Sequence, residues 1–147
     1  MSAMRCRSCE RKDFYENRKA DTGYRKESVM TRTEFRERTF EFGIRCIRAV
    51  ESLPKTTVAQ IIAKQLIRAT SVGANYRAAI RSRSRADFVA KMGIVEEECD
   101  ETVYRIEILV ELGLLPEKRT SALQQEANEI LAVTVSSIKT ASRRQRT

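Results

Sequence analysis

The chain has 147 residues, enough for one domain with a single core, and its 33% charged and 6% aromatic residues, five glycines and two prolines favour long helices. It has no histidine, which excludes Ser-His-Asp and Cys-His catalysis, imidazole metal sites and the Glu-x-x-His pairs of di-iron bundles. Basic residues outnumber acidic ones 28 to 20, a net charge of +8 that suits a polyanionic partner but that tails and solvated faces also produce.

Residues 1–30 are polar, mixed in charge and without apolar period, so burial cannot offset the entropy of ordering them. Two readings stand: a disordered basic arm, or an upstream extension with translation starting at Met30. Cys6 and Cys9 have the spacing of half a zinc site. With no second pair and no histidine, neither a metal nor any other cofactor is expected. No apolar run approaches the roughly 18 residues needed to cross a bilayer, and the first residues are charged where a signal peptide is apolar. A cytoplasmic protein without membrane contact is expected.

Four helical patterns follow. The first runs over about 32–53, with Phe35, Phe42, Cys46, Ala49 and Leu53 on one stripe, widened by Phe40, Ile44, Ile47 and Val50, and Pro54 ends it. The second spans about 57–82, with Val58, Ile61, Ile62, Leu66, Ala69, Val72, Tyr76 and Ile80 expected to face inward. Gly73 and Ala74 inside it point to close approach of a neighbouring helix. The third, about 85–112, opens at Ser84-Arg-Ala-Asp87, which resembles a capping box. Phe88, Met92, Val95, Cys99, Val103, Ile106 and Val110 recur along it, and Gly113 supplies its stop. The fourth, about 116–141, is expected to carry Pro116 in its first turn and Leu123, Ala127, Ile130, Thr134 and Ile138 on its stripe. Residues 142–147 form a basic tail. Cys46 and Cys99 are expected as buried free thiols. Short connections at 54–56, 82–84 and 113–116 make successive helices antiparallel neighbours. The expected fold is all-α, an up-down-up-down antiparallel four-helix bundle over residues 31–141.

Thr70-Ser-Val-Gly-Ala-Asn-Tyr-Arg-Ala-Ala79, Arg83-Ser-Arg-Ala-Asp-Phe88, Lys91, Ile94-Val-Glu-Glu-Glu-Cys-Asp-Glu101 and Leu112-Gly-Leu-Leu115 together resemble the four-helix-bundle family of 23S rRNA-intervening-sequence proteins. The resemblance covers about residues 35–141. It implies a small cytoplasmic bacterial bundle that assembles as a homopentamer and has no established enzyme activity. A related branch, the accessory proteins of diversity-generating retroelements, implies nucleic acid and a reverse transcriptase, or another protein, as partners. Many members have proline where this chain has Gly73, so the local kink is expected to differ. The first thirty residues match nothing in the family pattern.

Four arginines, Arg77, Arg81, Arg83 and Arg85, fall within nine residues around the turn between the second and third helices. Arg77 and Arg81 are four apart and share a helix face, which Arg83 and Arg85 extend around the turn. Guanidinium forks match phosphate oxygens, and each neutralised phosphate releases counterion. In a ring of subunits this motif would repeat into a large positive surface, and Arg143, Arg144 and Arg146 would add to it. The alternative use of these arginines is pairing with carboxylates and water, Arg83 with Asp87 for example. Asn75, mid-helix, reads as a buried amide bonding to a neighbouring helix or subunit, or as a ligand contact. The acidic run from Glu96 to Glu101 reads as helix–helix or subunit specificity. Arg68 is placed to bridge Glu98 or Glu97, Glu97 and Glu101 share a face, and so do Glu98 and Arg105. Tyr76 and Tyr104 read as core or interface aromatics. No catalytic residues are assigned. The expected function is a non-catalytic RNA- or DNA-binding homo-oligomer, the alternative a protein-interaction scaffold or assembly factor that does not bind nucleic acid.

Overall fold

The structure, a computed structural model, describes residues 30–144. The expectations for the N-terminal arm, for Cys6 and Cys9, and for Arg146 lie outside the described residues. Within them the chain is all-helical: α1 (Arg32–Glu51), α2 (Thr57–Leu66), a 3-10 turn (Ile67–Ala69), α3 (Thr70–Ala79), α4 (Arg85–Glu111) and α5 (Glu117–Arg143). Segments α2 and α3 form one interrupted rod, so the architecture is an antiparallel four-helix bundle. The rods pack in a ring, α1 on α3, α3 on α4, α4 on α5 and α5 back on α1. No helix among the described residues is long and apolar enough to cross a membrane.

Local chemistry sets the helix ends. Thr31 caps α1 in a full capping box: its Oγ1 accepts from the Glu34 N–H at 3.2 Å, and Glu34 Oε2 accepts from the Thr31 N–H at 2.6 Å. The Thr31 backbone bond holds the Glu34 carboxyl below its ordinary pKa, with the Thr31 hydroxyl adding to it. Helix α4 ends in a Schellman motif. Gly113, at φ 67°, turns the chain so that its N–H reaches the Val110 carbonyl and the Leu114 N–H reaches that of Leu109, both at 2.9 Å. Pro116 was expected inside the fourth helix. It is instead the N-cap of α5, with extended ψ of 129°, because its missing N–H costs nothing there.

The second rod is not the continuous helix expected. Ser71 Oγ donates to the Arg68 carbonyl, side-chain competition for helix carbonyls of the kind that bends a helix, and the chain tightens into 3-10 geometry at Ile67–Ala69. The inward stripe of α2 is Ala59, Ile62 and Leu66. Val58 and Ile61, both expected inside, are 54% and 55% exposed, because adjacent apolar residues let two helix registers fit the same sequence.

The core draws on every rod: Phe42, Leu66, Val72, Met92, Ile106 and Ile130 are fully buried. Each contributes about 1.5–3 kcal/mol of transfer free energy. Phe35 and Tyr76 meet edge-to-face with ring centroids 4.7 Å apart. Thr39, Thr102, Thr120 and Thr134 are buried among them and satisfy their hydroxyls on carbonyls of their own helices. Cys46 and Cys99 are free and buried, and burial pushes both thiols up to about 12. The tightest approach is α1 on α3. A Cβ at Gly73 would lie 3.3 Å from the Thr39 carbonyl carbon and oxygen, and one at Gly43 would lie 3.3 Å from the Thr70 Cα.

Candidate nucleic-acid interface

The arginine-rich turn is built by two helix ends. Helix α3 closes with Arg81 and Ser82 N–H groups bonding back to Ala78 and Ala79. Ser84 caps α4, its Oγ accepting the Asp87 N–H at 3.1 Å. The ion pair between the Arg83 guanidinium and Asp87, the alternative use of this arginine, does not form. Asp87 Oδ2 accepts from Lys91 Nζ at 2.8 Å and from the Arg83 backbone N–H at 3.2 Å. Lys91 first, and the Arg83 N–H second, hold the Asp87 carboxyl below its ordinary pKa. With Asp87 thus engaged, the exposed Arg83 guanidinium makes no direct ion pair among the described residues, although its charge also helps to lower the Asp87 carboxyl.

At this end of the bundle the start of α1, the α3–α4 turn and the last turns of α5 enclose an open cavity of about 640 Å³. Four arginines wall it: Arg32, Arg83, Arg85 and Arg144. Among the described residues, no carboxylate lines it and none of the four is ion-paired. Arg85 Nη1 donates to the Arg144 carbonyl, which pins the corner to the end of α5 and leaves the other donors of the fork unused among the described residues. Arg32 was not anticipated. Its first-turn position in α1 gives no sign of the tertiary neighbourhood, and only the antiparallel closure of α1 beside α5 brings it to the turn.

The four arginines of the sequence motif do not form one strip. Arg83 and Arg85 line the end cavity together with Arg144. Arg77 and Arg81 instead line a groove of about 1000 Å³ between α1 and α3. Helical rotation separates them: α3 ends at Ala79, and the turn carries residues 83 and 85 onto another side. Arg81 Nε also folds back onto the Arg77 carbonyl at 3.1 Å. The groove rim mixes Arg36, Arg77 and Arg81 with Glu37 and Glu41, over a floor of Phe40, Ile44 and Ile47. Phe40 is 64% exposed, not part of the core stripe. A smaller cleft of about 190 Å³ between α1 and α5 collects Arg45, Arg48 and Arg119, a cluster that spacing along the chain does not reveal.

The remaining candidates take structural places. Arg68 Nη2 donates to Glu98 Oε1 at 3.0 Å, tying the 3-10 turn to α4. Glu97 is exposed and does not reach Arg68, because it points a helical step away from the α3 side. Glu101 pairs with Arg105 one turn on. Glu98 Oε2 and Arg105 Nη1 are buried without a partner among the described residues. Asn75 is half-buried and no described residue bonds its amide, so the bond to a neighbouring helix of the same chain does not form among the described residues. Tyr76 is buried with its hydroxyl 3.5 Å from the Arg32 carbonyl, whereas Tyr104 is 64% exposed and not a core residue. Arg143 is exposed at the end of α5. The pair that sequence reasoning missed is Arg38 with Glu126 and Glu129: the guanidinium bonds both carboxylates, its Nη2 lying 3.1 Å from Glu126 Oε2, and locks α1 to α5. Among the described residues, no group of three His, Cys, Asp or Glu side chains could hold a metal ion.

A family model for 23S rRNA-intervening sequence proteins matches residues 31–136, nearly the whole bundle. The chain belongs to that family. The chain is also similar to a crystallised protein of unknown function from the S23 ribosomal protein family of Bacteroides thetaiotaomicron. The two are 29% identical with a TM-score of 0.67, over 71% of this chain and 98% of the other. No curated protein matches the chain.

Proposed function

We propose that this protein is a non-catalytic, cytoplasmic, homo-oligomeric bundle that binds RNA or DNA through the arginine-lined cavity at the end of the bundle. The observation that carries the reading is the four-arginine wall, on which no described carboxylate lies. An arginine that is not held in an ion pair keeps its donors for phosphate oxygens, and its binding energy comes largely from released counterions. Four phosphate contacts to a single strand correspond to a salt slope of about −2.8, an affinity loss of about fifty-fold between roughly 50 and 200 mM salt. The homopentamer implied by the family resemblance is supported by the α1–α3 groove, an apolar floor with charges of both signs on its rim. That groove also favours the second reading, a scaffold or assembly factor whose ligand is another protein.

Fluorescence anisotropy of a labelled single-stranded RNA against the full chain separates the two. Arg83→Gln combined with Arg144→Gln is expected to weaken binding and flatten its salt dependence, while Arg77→Gln combined with Arg81→Gln leaves most of it. Equal binding by both variants, or none by the parent protein, would reject the end cavity as the nucleic-acid site and favour the scaffold.

A further inference from the structure

We propose that the end cavity takes one unpaired nucleotide, phosphate on its arginines and base against Phe88, a proposal that rests on the nucleic-acid reading above. A backbone-only site needs nothing but positive charge on an accessible surface. This one is a concavity of about 640 Å³, inside the range of pockets that enclose small ligands, and its wall has three chemically different parts.

The first part donates. Besides the guanidinium groups, the Ser84 hydroxyl accepts from the Asp87 N–H and so keeps its own proton for a ligand oxygen. The second part accepts. Ser137 Oγ donates to the Val133 carbonyl at 2.8 Å and Thr140 Oγ1 to that of Ser136 at 2.9 Å. Their protons are thereby committed, and they offer the cavity only lone pairs. Phosphate at neutral pH has little to donate to such groups, whereas sugar hydroxyls and base amines do. The third part is apolar: Ile80 and Phe88, both half-buried at the α3–α4 turn, and Ala141. A ligand that satisfies all three carries an anion, hydrogen-bond donors and a flat apolar face, which is the chemistry of a nucleotide. In a duplex the base is stacked and paired and cannot enter, so the ligand is a free mononucleotide or an unpaired nucleotide of a polynucleotide chain.

The experiment uses the full chain and a labelled single-stranded RNA of about ten nucleotides, compared with the same strand in a blunt duplex. Adenosine 5′-monophosphate and inorganic phosphate serve as competitors, and binding of each is also measured directly by calorimetry. The single strand is expected to bind about tenfold or more tightly than the duplex, and Phe88→Leu, which keeps an apolar side chain for the core, to lose about tenfold of that affinity. Thr140→Val tests the accepting part and carries the experiment where Phe88→Leu lowers the unfolding midpoint; it is expected to weaken strand and mononucleotide alike. Competition by adenosine 5′-monophosphate assigns the cavity to free nucleotides as well, and its failure beside tight strand binding assigns it to the polynucleotide. Equal affinity for strand and duplex with no effect of either variant overturns the nucleotide pocket while leaving electrostatic binding intact. Displacement by inorganic phosphate as effective as by the nucleotide also overturns it, reducing the cavity to an anion site. Mononucleotide binding that depends on Phe88, without any polynucleotide binding, upholds the pocket and rejects the wider function. Absence of all binding rejects both.

Discussion

Two glycines at the middle of helices make opposite predictions for the same substitution. An interior Gly→Ala gains about 1 kcal/mol of helix propensity when the new methyl group meets nothing. Gly93 of α4 has no atom within 4 Å of the position its Cβ would take, so Gly93→Ala is expected to stabilise the protein by about that amount. Gly73 of α3 receives the same gain, but its Cβ would lie 3.3 Å from the carbonyl carbon and oxygen of Thr39 and 3.5 Å from the Phe40 nitrogen. All three atoms are backbone, and no side-chain rotation relieves them. Helix α1 must move by a few tenths of an ångström while its other face stays packed on α5, an overpacking that costs about 1–3 kcal/mol. The net for Gly73→Ala is a loss of about 1 kcal/mol, which separates the two variants by about 2 kcal/mol. Urea unfolding followed by far-UV circular dichroism reads this directly, provided protein concentration is held constant, because assembly would otherwise shift the midpoint. If Gly73→Ala stabilises as much as Gly93→Ala, the α1–α3 crossing is not limited by backbone contact and the reasoning fails.

Three further outcomes are expected. Phe40→Glu places a charge on the groove floor at a side chain already 64% exposed, so the fold survives and light scattering should report a smaller assembly; an unchanged mass would exclude the groove as the subunit contact. Arg38→Ala leaves the largely covered Glu126, with a side chain 19% exposed, without its guanidinium and is expected to cost about 1–2 kcal/mol in the urea midpoint, less than a fully buried pair would. For Cys46 and Cys99, burial raises the folded pKa from 9.0 to about 12, so the stability they contribute is complete below pH 9 and lost as pH rises toward 12. Both thiols should therefore resist a thiol reagent in the native protein and react on unfolding, and replacing both with Ala should flatten the alkaline decline of the thermal midpoint.

The bundle was legible because its stripes repeat at helical spacing: Phe42, Met92, Val95, Cys99, Ala127 and Ile130 are buried where periodicity placed them. Close approach at Gly73 was legible for the same reason, since a helix tolerates glycine at a cost that packing must offset. What failed were decisions that periodicity leaves open. Ile61 and Ile62 are neighbours, and periodicity alone does not decide that Ile62 packs on the core while Ile61 is exposed. The reading of the four arginines as one continuous face failed differently. Spacing says that Arg77 and Arg81 share a face, but the direction in which a turn carries Arg83 and Arg85 is set by the caps on either side of it. Arg32 and Arg144 are 112 positions apart, and nothing local in the chain announces that they line one cavity.

The two concavities bear on each other through their positions. The apolar groove runs along the side of the bundle between α1 and α3, while the arginine cavity opens at the end where α1 and α4 begin and α5 finishes. A lateral contact and an end-on site do not compete for the same surface. In a cyclic assembly each subunit is related to the next by rotation about a common axis, which preserves the component of its bundle axis along the ring. Every arginine cavity would then open toward the same face of the ring. A single nucleotide held in one such cavity is a weak ligand, but a strand long enough to reach neighbouring cavities binds each further one at an effective concentration set by the intervening backbone. Affinity in the proposed ring would therefore rise steeply once the strand is long enough to span the distance between cavities. A Phe40→Glu variant that no longer assembles would keep the mononucleotide affinity and lose the length dependence.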